Sequence, residues 1–329
     1  MTRQFSFDAL RGILLPTTTP FHPDGSILTS AIRANLKKWT TRGVTGFVVL
    51  GSTGERVHLD ESEYLQVVEV SRAAVSDEFV FIAGAGQHST RGTINEVRKA
   101  AEAGADAVLV ITPHYYRSAM NQETLRGYYA AVADASPVPV LLYSMPALTG
   151  IKIDPETIAR LSEHPNIAGV KDSSNDVAGF AETVRLCPDD FAVMTGNGTV
   201  LLDTLRAGAT GGILAVGCVV PEVCVEIFRA FDAGETERAE ALQSKLTPLA
   251  AAVTTKFGIG GLKGALGLAG YQGGAVRAPL QGHDYNAHKE IAALLEEFSL
   301  RSSASSAVNQ PVTTENAENA ELNPQVRPT

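Results

Sequence analysis

Short apolar runs punctuate the first two-thirds of the chain: "GILLPTTTPF" from Gly12, "GFVVLGST" from Gly46, "VFIAGAG" from Val80 and "AVLVITP" from Ala107. Four more follow, "PVLLYSMP" from Pro139, "IAGVKDS" from Ile167, "FAVMTGN" from Phe191 and "GGILAVG" from Gly211. Each is a compact, partly β-branched apolar stretch with no polar alternation, which predicts strands buried on both faces, as in a parallel sheet. Helix-length amphipathic stretches separate them. "DESEYLQVVEVSRAAV" begins with Asp60 at an N-cap and Glu63 three residues later, the signature of a capping box. "TRGTINEVRKAAEAG" ends on Gly104, a glycine placed to stop a helix and feed the next strand. Eight strand–helix alternations predict an α/β fold, a (β/α)8 TIM barrel rather than a doubly wound open sheet.

After Val220 the pattern is helical only, through "PEVCVEIFRAFDAGETERAEALQSKLTPLAAAVTTKF", "GGLKGALGLAG" and "YNAHKEIAALLEEF". The expected organisation is therefore 1–220 for the barrel strands and most helices, and 221–301 for the last barrel helix and a C-terminal helical annex. From Ser302 the composition turns to Ser, Asn, Pro, Thr and Glu, which cannot bury enough surface to fold, so 302–329 is expected to be a disordered tail.

Composition narrows the function classes. A net charge of -9 over 329 residues argues against a nucleic-acid footprint or an anionic membrane surface as partner. It leaves room for an acidic small molecule held by a few local donors. No apolar stretch is long enough for a bilayer, and the start lacks a signal-peptide core, so a soluble, cytoplasmic protein is expected. Cys187, Cys218 and Cys224 are scattered, odd in number and without metal or redox spacing, which suits small apolar residues in a reducing compartment.

In such a barrel the chemistry sits at the C-terminal ends of the strands. Those ends read "PTTTPF", "GSTGE", "GAG", "TPHYYR", "YSMP", "KDSS", "TGN" and "AVG". They hold one lysine, Lys171, and no His/Asp/Glu cluster of the kind a metal site needs. Lys171 is either a lysine snorkelling from a strand end or a Schiff-base nucleophile, since desolvation favours the neutral amine. Tyr143 ends the neighbouring strand, where its phenol can exchange a proton with that amine or its adduct.

"GSTGE", Gly51 to Glu55, follows a strand, and its amides with the Ser52 and Thr53 hydroxyls can cradle a carboxylate. It also reads as an ordinary βα turn. Glu55 reads as a helix-start carboxylate, with a buried general base as the rarer case. Tyr115 and Tyr116 are either rim packing or part of a site. Of the histidines only His114 falls at a strand end; His22, His58, His88, His164, His283 and His288 read as surface or packing residues.

Taken together, "GSTGE", "TPHYYR", "YSMPALTG" and "GVKDSS" resemble, in order and spacing, the dihydrodipicolinate synthase/N-acetylneuraminate lyase family of class I pyruvate-dependent aldolases. The resemblance spans roughly residues 8 to 300. It implies an imine at Lys171, proton transfer by Tyr143, and a pyruvyl carboxylate held at Gly51, Ser52 and Thr53. It further implies that Ser173 and Leu148 contact substrate, and that no metal or other cofactor takes part. Tyr115 resembles a tyrosine that crosses a dimer interface into the partner's site, implying a homodimer or homotetramer acting on a small 2-oxo acid.

Within the family, the synthases' "YNVPSRTG" carries an arginine for the aldehyde substrate's carboxylate, and this chain has Leu148 there. Neuraminate lyases place carboxylates after strand seven, where this chain has "TGNGT". The stretches "VITPHYYR", "SEHPNIAGVKDS", "AAVTTKFGIGGLKGAL" and "YQGGAVRAPL" are most similar to 4-hydroxy-2-oxoglutarate aldolases, which tend to have a polar residue at the position of Leu148. The expected reaction is cleavage of a 4-hydroxy-2-oxo acid to pyruvate and a small aldehyde such as glyoxylate. The alternatives are dihydrodipicolinate synthesis, an aldolase or dehydratase for a 2-oxo-3-deoxy sugar acid, and a non-catalytic pyruvate-binding barrel.

Overall fold

The computed structural model describes residues 7–308. Eight parallel strands close a barrel in sequence order: β1 (Gly12–Pro16), β2 (Gly46–Val49), β3 (Val80–Ala85), β4 (Ala107–Ile111), β5 (Val140–Ser144), β6 (Ile167–Asp172), β7 (Ala192–Thr195) and β8 (Gly211–Ile213). Every one of the eight apolar runs is a strand, and nearly every strand residue is buried. Both faces are covered, which is why the runs lack alternation. The outward faces pack against the surrounding helices in one large apolar cluster. The inward faces supply a second cluster that includes Leu14, Val48, Ile82, Leu109, Leu141, Met194 and Ile213.

The expected helix signals hold. Asp60 caps the helix Glu61–Arg72, and its capping box with Glu63 is complete. The helix Thr90–Glu102 is followed by Gly104 at φ +95°, in the left-handed region. Ring closure falls at glycine, with Gly12 pairing Gly211 between β1 and β8. A Cβ on Gly211 would run into the carbonyl oxygen of Gly12.

One irregularity matters for the site. Between β5 and β6 the register shifts: Val140 pairs with Ile167, but Leu141 pairs with Gly169, so Ala168 is bulged out. Because side chains alternate with period two, this extra residue resets the phase of β6. Gly169 and Lys171 then face inward beside Leu141 and Tyr143, and Tyr143 pairs directly with Lys171.

The C-terminal annex is helical, as expected: Pro221–Asp232, Thr236–Ala251, Gly258–Leu268 and Tyr285–Val308. A single wide turn of π-helix, Ala252–Lys256, joins the second of these to the third. The last helix runs on to Val308, past the tail boundary expected at 302, because the helix begun at Tyr285 continues through the serine-rich stretch without a breaker. The rest of that expected tail, 309–329, lies outside the described residues. No helix of the described residues is long and apolar enough to cross a membrane.

Candidate active site

A cavity of about 610 Å³ opens at the C-terminal ends of the strands and is lined by Ser52, Thr53, Tyr143, Leu148, Lys171 and Ser173, among others. These six come from three different βα segments, after β2, β5 and β6, so the barrel brings together what the sequence keeps far apart. Lys171 is 3 % exposed, and among the described residues no carboxylate pairs with it. Its Nζ lies 4.4 Å from the centroid of the Tyr143 ring, so the phenol face is its principal electrostatic partner. Gly196 at the end of β7 gives the room: a Cβ there would collide with both the Lys171 stem and the Ser173 hydroxyl.

The Tyr143 hydroxyl is 2.9 Å from Ser52 Oγ, and either oxygen can donate. The carboxylate cradle and the candidate proton carrier are thereby one hydrogen-bonded unit, a link the sequence did not reveal. The Ser173 hydroxyl is buried, lines this cavity and has no hydrogen-bond partner among the described residues. Its neighbour Asp172 is buried too; burial pushes its carboxyl above the usual range, opposed by the hydrogen bond it accepts from the Ser174 N–H at 2.7 Å.

The turn that carries Gly51, Ser52 and Thr53 departs from expectation. It opens no α-helix but two short 3-10 turns, Ser52–Gly54 and Arg56–His58, ahead of the helix at Glu61. Glu55 is not a helix-start carboxylate. Its backbone is left-handed at φ 53°, its side chain is buried, and it forms an ion pair at 2.5 Å with Lys263. Leu50, on the other side of the turn, is left-handed as well at φ 57°. Sequence reading found neither Lys263 nor its pairing, since an isolated lysine in the helix Gly258–Leu268 carries no local signal of burial.

Tyr115 stands apart from this cavity. It is 73 % exposed and packs edge-on to Tyr116 at 5.1 Å and beside His88 at 5.8 Å. Leu148 sits in the short helix Pro146–Thr149, is 58 % exposed, and lines the mouth shared with a second cavity of about 440 Å³. His58, His88 and His114 all line that second cavity, so two histidines read as surface or packing residues belong to its wall. The far side of the main cavity is neutral and polar: Asn175 and Asn197, hydrogen-bonded to one another, with Thr254 and Thr255 from the π-turn. Lys171 is the one cationic side chain among its described lining residues.

A (β/α)8 barrel with an unpaired interior lysine over a tyrosine ring, beside a hydroxyl-rich turn, has the layout of an imine-forming enzyme. Residues 9–298 match the Dihydrodipicolinate synthetase family, and the chain belongs to that family, whose members are carbon–carbon lyases of the pyruvate-dependent aldolase type. It is 32 % identical over 287 residues to the 4-hydroxy-tetrahydrodipicolinate synthase of Exiguobacterium, covering 87 % of this chain and 97 % of that one. Among solved structures it is similar to a monomeric dihydrodipicolinate synthase variant, with a TM-score of 0.85 at 30 % identity over 89 % of this chain and 98 % of that one. It is similar also to a prophage protein of the dihydrodipicolinic acid synthase family from E. coli K12, in complex with pyruvate, with a TM-score of 0.82 at 29 % identity over 88 % and 99 %. The relatives found carry the synthase name; the resemblance to 4-hydroxy-2-oxoglutarate aldolases rests on the sequence stretches alone.

Proposed function

We propose that the protein cleaves a 4-hydroxy-2-oxo acid to pyruvate and a small aldehyde through an imine at Lys171. The observation that carries this reading is the buried, carboxylate-free amine of Lys171 over Tyr143, with the Tyr143 hydroxyl bonded to Ser52. The amine adds to the C2 ketone, and the Tyr143 phenol gives its proton to the departing hydroxyl, so that water leaves, the protonated imine forms and Tyr143 is left as a phenolate. Tyr143 takes the proton of the C4 hydroxyl; the C3–C4 bond breaks and its electron pair passes into the imine, leaving an enamine. Protonation at C3 and addition of water release pyruvate and restore the amine. Ser52 and Thr53 hold the C1 carboxylate with neutral donors, and the Ser173 hydroxyl, without a hydrogen-bond partner among the described residues, is available to the bound substrate.

For the aldehyde half, the neutral wall of Asn175, Asn197, Thr254 and Thr255 suits oxygen-bearing fragments held by hydrogen bonds rather than by a salt bridge. Glyoxylate, from 4-hydroxy-2-oxoglutarate, is a small fragment of this kind. A second reading, condensation of pyruvate with aspartate semialdehyde, is favoured by the names of the curated relatives. It has no arginine at position 148 to hold the second carboxylate. The test is one preparation assayed for pyruvate release from 4-hydroxy-2-oxoglutarate and from a 2-oxo-3-deoxy sugar acid, and for pyruvate consumption with aspartate semialdehyde. A higher kcat/KM for the condensation would replace the first reading by the second.

We read the exposed Tyr115 as a residue offered to a second copy of the chain, in a homodimer or homotetramer. Sedimentation of the wild type and of Tyr115→Ala tests this; a monomer that retains full activity would refute it.

A further inference from the structure

Lys263 is a second buried lysine, 4 % exposed, and its environment is the reverse of that around Lys171. Its ammonium donates to the carbonyls of Thr19 at 2.7 Å and Ala275 at 2.6 Å, and forms an ion pair with Glu55 Oε1 at 2.5 Å. Glu55 also accepts the Arg277 N–H at 2.9 Å. Thr19 in turn donates its hydroxyl to the Gly54 carbonyl at 2.7 Å. Two arms thus run from one ammonium to the turn that carries Ser52 and Thr53, one through Glu55 and one through Thr19. Left-handed backbone at a non-glycine residue costs about 1–3 kcal/mol and persists only where its surroundings over-determine it. Here the side chain of the left-handed residue is itself the tether.

We infer that Lys263 and Glu55 are positioning residues for the oxo-acid carboxylate: the pair fixes the left-handed turn so that Ser52 and Thr53 meet the carboxylate while Ser52 stays bonded to Tyr143. The pair touches no reacting atom. Lys263 faces an outer cleft of about 860 Å³, and Glu55 lines the 440 Å³ cavity at the mouth of the site, so the pair forms part of the wall between them. Loosening it lets the cradle shift while the barrel interior, with Lys171 and Tyr143, stays in place.

The inference rests on the imine reading, and borohydride trapping with pyruvate separates the two. Trapped adduct on Lys171 of the wild type establishes the reading, and its absence removes both. With the reading in hand, Lys263→Met raises the pyruvate concentration for half-maximal trapping about tenfold, the scale of a weakened charge-assisted contact, while trapping at saturation still reaches the wild-type extent. Glu55→Gln, which keeps an acceptor for the Arg277 N–H, shows the same shift and supplies the readout if Lys263→Met does not fold. The double variant is no worse than Lys263→Met, because both act through one contact. A purely structural pair would lower the melting temperature and the trappable fraction and leave the half-maximal concentration unchanged. That result, or additive shifts in the double variant, would overturn the inference.

Discussion

Replacing Tyr143 with Phe removes one oxygen and leaves the ring over which Lys171 Nζ lies at 4.4 Å. The electrostatic setting of the amine is therefore kept, and imine formation with pyruvate continues. Two things are lost: the proton carrier for the C4 hydroxyl and the 2.9 Å hydrogen bond to Ser52. A general acid–base group contributes about 10² to 10⁴ in rate. A neutral hydrogen bond contributes about 0.5–1.5 kcal/mol, at most roughly tenfold in binding. The expected outcome is thus asymmetric, with kcat falling by at least two decades and half-saturation by pyruvate moving by less than one. The assay pairs steady-state pyruvate release with borohydride trapping across a pyruvate titration on the same preparation. Equal losses in the two would mean that Tyr143 holds the cradle and does not carry the proton. Loss of trapping at saturating pyruvate would mean that the phenol is needed to form the imine at all.

Lys171→Ala abolishes turnover, and peptide mapping after borohydride and pyruvate places the added mass on Lys171. Lys152 and Lys256 stay unlabelled, since their amines are paired with Asp176 and Glu290. Leu148→Arg raises kcat/KM for condensation with aspartate semialdehyde by about tenfold, the low end for a charge-assisted contact because the position is largely exposed; an unchanged value would show that the arginine site of the synthases is not recreated there. The hydrogen bond from Arg277 holds the Glu63 carboxyl below its ordinary range, so its stabilisation is present at neutral pH and is lost as pH falls through the acid range into that lowered pKa. Arg277→Leu therefore lowers the melting temperature at pH 7 more than at pH 3.5, and equal losses at both would contradict the linkage. Burial pushes the Cys224 thiol up to about 12 and Cys187 to about 11, so iodoacetamide at pH 8 leaves both unmodified in the folded protein, as mass spectrometry would show.

The eight strands were readable because burial on both faces removes polar residues from each run, leaving a signal that does not depend on distant neighbours. Lys171 was readable for the same reason, as a charge at the end of one of those runs. Its pairing with Tyr143 was expected only as adjacency, because the bulge at Ala168 that aligns the two is invisible in "NIAGVKD". Glu55 was misread because its pattern, a carboxylate after Gly-Ser-Thr-Gly ahead of a helical stretch, is also that of a helix start. Only its partner, Lys263, more than two hundred residues on, makes it a buried anchor. Thr254 and Thr255 escaped notice because a π-turn shifts the facing of a helix by a fraction of a turn that 3.6-residue periodicity does not anticipate.

The glycine seam between β1 and β8 bears on how the chain reaches its fold. An open sheet could add strands at either edge and be stable at each stage, but a ring has no finished form before its last member arrives. During synthesis β1 emerges first and its partner β8 last, so one flank of β1 waits, unpaired, through most of translation. Any side chain on Gly211 would bar the final docking while leaving the seven earlier strands free to associate. Gly211→Val should therefore yield an aggregating, sheet-rich species rather than a soluble enzyme of lowered activity, the signature of a chain with two uncovered edges.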